Sequence, residues 1–162
     1  MDKSLVGLIK RATSQRKRRK QLFQKLRKKK PRELDKTFHE LHEEAFEEID
    51  CLSCGNCCKT ISPVFTDQDI SRISRHVKMR PADFTEEYLY EDDEADMVLK
   101  QTPCPFLGAD NYCNIYEVRP RACRQYPHTD RQRMHRFLSL THKNAEVCPA
   151  VAHIVDRMLQ VS

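Results

Sequence analysis

Four thiols fall within eight residues, Cys51-Leu52-Ser53-Cys54-Gly55-Asn56-Cys57-Cys58, and four more follow at Cys104, Cys113, Cys123 and Cys148. No other stretch limits the fold as strongly. Thiolates bind soft and borderline metals, and four of them satisfy a tetrahedral ion or a cluster. Eight cysteines also permit disulfides, which belong to secreted chains. Residues 1–10 contain no apolar run of signal-peptide length, and no stretch approaches the roughly 18 apolar residues of a membrane span. The expectation is a cytoplasmic chain whose reduced thiols serve as metal ligands. The composition agrees: mean hydropathy is −0.74, 33% of residues are charged, and the 39% that are hydrophobic include the cysteines. A small apolar core calls for staples.

The spacing narrows the metal chemistry. A CxxC pair lets two sulfurs converge while the intervening amides face them, and Gly55 relaxes that turn. Cys51, Cys54 and Cys57 reproduce the CxxCxxC of bacterial ferredoxins, which add a remote cysteine followed by proline. Cys104-Pro105 and Cys148-Pro149 both fit that description. This leans toward an iron–sulfur cluster. The alternative is Zn2+: adjacent Cys57 and Cys58 project in different directions, so eight thiolates could form two four-cysteine sites, one on each side of the pair. Zinc sites usually show paired knuckles, and Cys104, Cys113 and Cys123 lack them. The candidate ligands are thus Cys51, Cys54, Cys57, Cys58, Cys104, Cys113, Cys123 and Cys148. His39 and His42 read as surface residues, and His128, His135, His142 and His153 as spare candidates. Arg119, Arg121 and Arg124 surround Cys123, where they could offset thiolate charge or pair with acids. No catalytic residue is identified: there is no Ser–His–Asp arrangement, Walker loop or paired-carboxylate signature.

Charge divides the chain. Residues 1–32 hold 14 Lys and Arg and one acid, a net +13, whereas residues 33–162 carry −8. Such asymmetry marks a basic arm, 1–32, on a cysteine-cluster domain, 33–162. Leu5, Leu8, Ile9 and Ala12, then Leu22, Phe23 and Leu26, recur at helical spacing among the basic runs, so the arm reads as one or two helices stopped by Pro31. Its charge suits nucleic acid, anionic lipid or an acidic protein. It equally suits a solvated arm whose apolar stripe packs on the domain.

Further helices are predicted over 34–50, from Asp67 after a Thr66 N-cap, from Pro81 to near Tyr90, from Pro120 to Pro127, and after Pro149. One hairpin is predicted around 97–116, turning at Gly108-Ala109-Asp110-Asn111, and a strand over 133–140. The fold class expected is α+β, mainly helical: a small metal-stapled domain with one short β-hairpin and a basic N-terminal helical arm.

The ordered blocks Cys51 to Cys58, Cys104-Pro105-Phe106-Leu107 and Cys113-Asn114-Ile115-Tyr116-Glu117-Val118-Arg119-Pro120-Arg121-Ala122-Cys123-Arg124-Gln125-Tyr126-Pro127 resemble the YkgJ-type cysteine-cluster family, described as zinc- or iron-chelating. The resemblance covers roughly residues 49–150 and leaves the arm outside. A related cluster occurs in flagellin lysine N-methylases, but no glycine-rich loop for S-adenosylmethionine is present. What the resemblance implies is metal or cluster binding. Three functions fit: an accessory, non-catalytic metalloprotein; an iron–sulfur redox or protein-modifying enzyme; and a nucleic-acid-binding module with structural metal.

Overall fold

The computed structural model describes residues 3–161. In chain order the helices and strands are α1 (Lys3–Ser14), α2 (Arg16–Leu26), α3 (Pro31–Glu48), α4 (Cys51–Cys54), α5 (Asn56–Thr60), β1 (Val64–Phe65), α6 (Asp67–His76), α7 (Pro81–Tyr88), β2 (Leu89–Glu91), β3 (Met97–Leu99), α8 (Arg121–Gln125), α9 (Leu138–Asn144) and α10 (Pro149–Gln160), with 3-10 turns at Tyr116–Val118 and Met134–Arg136. The fold is mainly helical α+β, with a small antiparallel sheet in the order β1-β3-β2. Proline opens α3, α7 and α10, where its fixed φ suits the first turn and its missing N–H costs nothing. Thr66 caps α6 in a reciprocal box with Asp69, satisfying two backbone donors at once. The chain divides into two compact units, one built from residues up to Cys54 and from Pro127 onward, the other from Gly55–Tyr126.

The first unit is helical. α10 is its centre, with Val151, Ile154, Val155 and Met158 buried, and α1, α2, α3 and α9 pack against it. α2 contributes Leu22, Phe23 and Leu26, and α3 contributes Leu34, Phe38 and Ala45. The apolar stripe of the basic segment therefore packs into a core.

The second unit has a smaller core of Phe65, Ile70, Ile73, Phe84, Leu89, Leu99, Phe106 and Ile115. Phe84 stacks on Phe106 with centroids 6.0 Å apart. Cys104 and Cys113 pack against this cluster, half-buried.

Two expectations need correction. β3 pairs with β2, which precedes it, and with β1. The 106–116 stretch adds only the bridge between Leu107 and Cys113. Its turn exists, with Gly108 N–H bonded to Tyr112 O at 2.8 Å and Asn111 at φ 67°, but the flanking chain leaves the extended conformation at once for the turns that carry the cysteines. The strand expected over 133–140 is a 3-10 turn followed by α9. The Asp35 carboxylate accepts the N–H groups of Arg133 and Met134 at 2.8 and 2.7 Å, and that capping starts a helical turn where a strand is expected from the sequence.

Candidate metal centre

In the first unit, Asp50 starts the short helix α4. Its carboxylate accepts the N–H groups of Leu52 and Ser53 at 3.0 and 3.2 Å, and its carbonyl accepts Cys54 N–H at 3.1 Å. This places Cys51 on the surface and Cys54 in the interior. Cys148 sits at the N-terminus of α10, ahead of Pro149. Burial pushes its thiol up to about 12, the amides of Val151 and Ala150 act the other way, and the charges of Cys51 and Cys54 add to the rise. Cys51, Cys54 and Cys148 are therefore electrostatic neighbours.

The second set lies within the second unit. Cys58 O accepts Cys104 N–H at 2.8 Å, and Asn114 N–H donates to Phe106 O at 2.8 Å. These links bring the Cys104 and Cys113 turns alongside α5. Cys123 rides on α8, which packs on β1. Burial pushes Cys104 up to about 11 and Cys123 up to about 12, and it raises Cys113; the charge of Cys58 adds to all three. Cys58 goes the opposite way, to about 7, because the Cys57 thiol hydrogen-bonds to its sulfur. Amides of Phe106 and Leu107 favour the Cys104 thiolate, and that of Ile115 favours Cys113.

Two cations act on this set, Lys59 on Cys58 and Arg119 on Cys113 and Cys123. Arg119 lies 3.7 Å from the centroid of the Tyr116 ring and donates from Nη1 to Tyr116 O at 2.6 Å. From there it favours the thiolates of Cys113 and Cys123. The backbone beneath it is fixed by Asp69, in the first turn of α6. Asp69 is 1% exposed. Burial alone would raise its pKa, but bonds from Arg72, Thr66 and Arg121 N–H overcome that and lower it. Arg72 in turn donates to the carbonyls of Val118 and Arg119 at 3.3 and 3.0 Å. The signal in the sequence was the Thr66–Asp69 capping pair; its tie to residues 118–121 was not legible there.

Gly55 follows α4 with φ +57°, and an added Cβ would stand 3.3 Å from Asn111 Cβ. Only glycine adopts that turn without strain. Four of the histidines, His39, His42, His128 and His142, make contacts with residues other than the cysteines. His39 and His42 are half-buried, bonded to Arg131 O at 3.1 Å and Thr129 Oγ1 at 2.8 Å. His128 stacks on Phe137, and His142 meets the Phe23 ring edge-on.

The donor chemistry fits zinc or iron: two sets of sulfurs, amides facing them, and a guanidinium beside one set. The sulfurs are neighbours by charge without being drawn to ligand distance. Among the described residues, no group of three or more His, Cys, Asp or Glu side chains is placed to hold one ion. Loading requires the sulfurs to close inward to about 2.3 Å from zinc.

A family model covers residues 50–149, and its description reads "Putative zinc- or iron-chelating domain". The chain belongs to the CxxCxxCC family. Its matched span starts at Asp50, which caps the first cysteine helix, and ends at Pro149, which opens α10. All eight thiols of this CxxCxxCC chain lie inside it. No curated protein and no solved structure matches the chain. Among the described residues no helix is long and apolar enough to cross a membrane.

Proposed function

We propose that this protein is an accessory, non-catalytic metalloprotein with two thiolate centres. Cys58, Cys104, Cys113 and Cys123 form the ligand set of the second unit, and Cys51, Cys54 and Cys148 belong to that of the first. The observation that carries this reading is that the cysteines divide between the two compact units, with Cys104 N–H bonded to Cys58 O at 2.8 Å in the second and Cys54 and Cys148 both buried in the first. Cys57 hydrogen-bonds to Cys58; which centre it serves is left to substitution.

An iron–sulfur cluster is favoured over zinc for the first set. Cys148 is the remote cysteine before a proline, and its charge neighbours are the first two cysteines of the ferredoxin-like triplet. A bound group would cross-link the thiolates and, if a cluster, supply one-electron redox chemistry. The chain's own residues exclude water by burying Cys54 and Cys148, and Arg119 balances thiolate charge in the second set.

Anaerobic purification followed by metal and acid-labile sulfide analysis tests this. Iron with stoichiometric sulfide supports the cluster. Zinc without sulfide keeps the centres and overturns the cluster. A parent protein that is folded and free of metal overturns the whole reading. Substituting Cys57 by Ser should remove metal from one centre and spare the other.

A further inference from the structure

The basic segment and a second segment more than a hundred residues away form one surface. Phe23 of α2 meets the His142 ring at 5.1 Å, Arg27 donates to Ser139 Oγ at 3.2 Å, and buried Arg19 pairs with Glu146. These contacts seat α2 beside α9. At about 100° per residue, Arg16, Lys20 and Arg27 lie within roughly 60° of Phe23 around the helix, and all three are exposed. On the other side, Arg136 and Lys143 flank Ser139 at i−3 and i+4 and are exposed as well. No acid occurs between residues 3 and 32 or between 131 and 145. Among the described residues none of these five cations stands in an ion pair; the pairs of this unit engage Arg11, Arg19, Lys30, Lys36, His153 and Arg157.

We infer that this α2–α9 surface binds the phosphate backbone of duplex nucleic acid. The proposal is independent of the metal reading, since no cysteine contributes to it. Cations from two adjacent elements outnumber the acid Glu146, whose carboxylate is already paired with Arg19, and that excess suits a polyanion with one charge per ~1.7 Å of axis. Lipid is disfavoured because the apolar side of this segment is already used. Leu22, Phe23 and Leu26 are at most 4% exposed, and α1 packs on α10. An interfacial helix needs that side free to enter the headgroup layer. Base stacking is also disfavoured: among the described residues the exposed large apolar side chains are Val64, Tyr90, Tyr112, Leu140 and Val161, and of these Leu140 belongs to α9. Without an aromatic platform, single strands lose their main contact. Contacts to phosphate alone position a protein without reading sequence.

The test uses the full chain as purified and ~20-base-pair duplexes of RNA and of DNA, each of two unrelated sequences. Titrations run from 50 to 200 mM salt. With about five phosphate contacts, affinity should fall several-hundred-fold, roughly, over that range, and the two sequences should bind alike. The variant R16Q/K20Q/R136Q/K143Q should bind more than 100-fold more weakly at 50 mM salt, with the salt slope reduced by about 3–4. A control that removes equal charge elsewhere, K36Q/R75Q/K78Q/K100Q, should retain most binding. If the quadruple patch variant misfolds by circular dichroism, R136Q/K143Q alone should still weaken binding about tenfold or more. Tighter binding to RNA than to DNA, or the reverse, identifies the source of the phosphates and supports the surface. Equal losses in patch and control variants overturn it. So does capture by phosphatidylserine vesicles or an acidic peptide without duplex binding, and so does no binding at 50 mM salt.

Discussion

The two units solve the problem of a small core differently. The first buries long apolar faces from several helices around α10, with Phe38, Leu34, Ile154 and Val151 at 0% exposure. Its thiols sit at the ends of helices, at Cys51, Cys54 and Cys148. The second relies on strands of two or three residues and on short helices. Cys104 and Cys113 pack against its core cluster, half-buried, so these sulfurs lie where side-chain packing would otherwise continue. The lesson is that equal ligand chemistry need not carry equal structural weight. The second unit should depend on metal for its fold, and the first should hold it as an addition.

The largest effect expected is from removing metal. Structural zinc contributes on the order of 10 kcal/mol to a small domain, comparable with a domain's whole net stability of about 5–15 kcal/mol. Chelation, or Cys123→Ser, should abolish hydrogen-exchange protection in α6 and β3 while α10 keeps most of its own. Cys51→Ser should lose metal from the other centre and leave α10 protected. Loss of protection in α10 before α6 would reverse the comparison. His39→Ala should leave metal content intact and cost about 1 kcal/mol, for its bond to Arg131 O.

Next come the two charged anchors, one in each unit. Asp69→Ala leaves Arg72 and the N–H of Arg121 without their buried acceptor and should cost the second unit roughly 3 kcal/mol. It should also loosen metal in the Cys58 set, because residues 118–121 lose their anchor. Glu146→Ala leaves Arg19, at 0% exposure, with Ala12 O as its remaining acceptor. Glu146 is 41% exposed, so water already screens the pair, and the cost should be nearer roughly 2 kcal/mol. Urea midpoints of the two variants, followed segment by segment, check the ranking. An Asp69→Ala protein with unchanged metal and midpoint would separate Asp69 from the centre.

Much of this was legible in the residues. Periodicity placed the amphipathic helices, proline their starts, and cysteine spacing the metal chemistry and the family. What was not legible depends on contacts far apart in sequence. The Asp35 carboxylate turns residues 133–136 into a helical turn, though it lies on α3. The partner of β3 is β2, because the local turn at 108–111 ends in cysteine-bearing turns that no periodicity describes. Cysteine spacing also could not say which thiols act on one another: the charges of Cys51 and Cys54 reach Cys148, and that of Cys58 reaches Cys104. His39 and His42, on a charged helix, gave no hint of their bonds to Arg131 and Thr129.

The smallest effect expected is with pH, and it should fall on the first unit. His42, His128 and His142 are all held below 6.5, burial being the largest cause in each. Around His42, Asp130 and Glu43 oppose the shift and His39 adds to it. Around His128, Arg131 adds and Asp130 opposes. Around His142, Arg19, Arg16 and Arg27 add and Glu146 opposes. The unfolded chain binds protons near 6.5 that these folded sites still refuse. Stability is therefore complete above pH 6.5 and declines as pH falls from there toward the lowered folded values. The second unit holds only His76, so its acid response should follow metal release instead. Segment-resolved hydrogen exchange at pH 7.5 and 5.5, with metal content measured at both, separates the two causes. In the first unit His42→Gln should flatten the decline and keep a hydrogen-bonding group beside Thr129. An unchanged slope in that variant, or a first unit that gains stability on acidification, would show that these buried rings do not set its pH response.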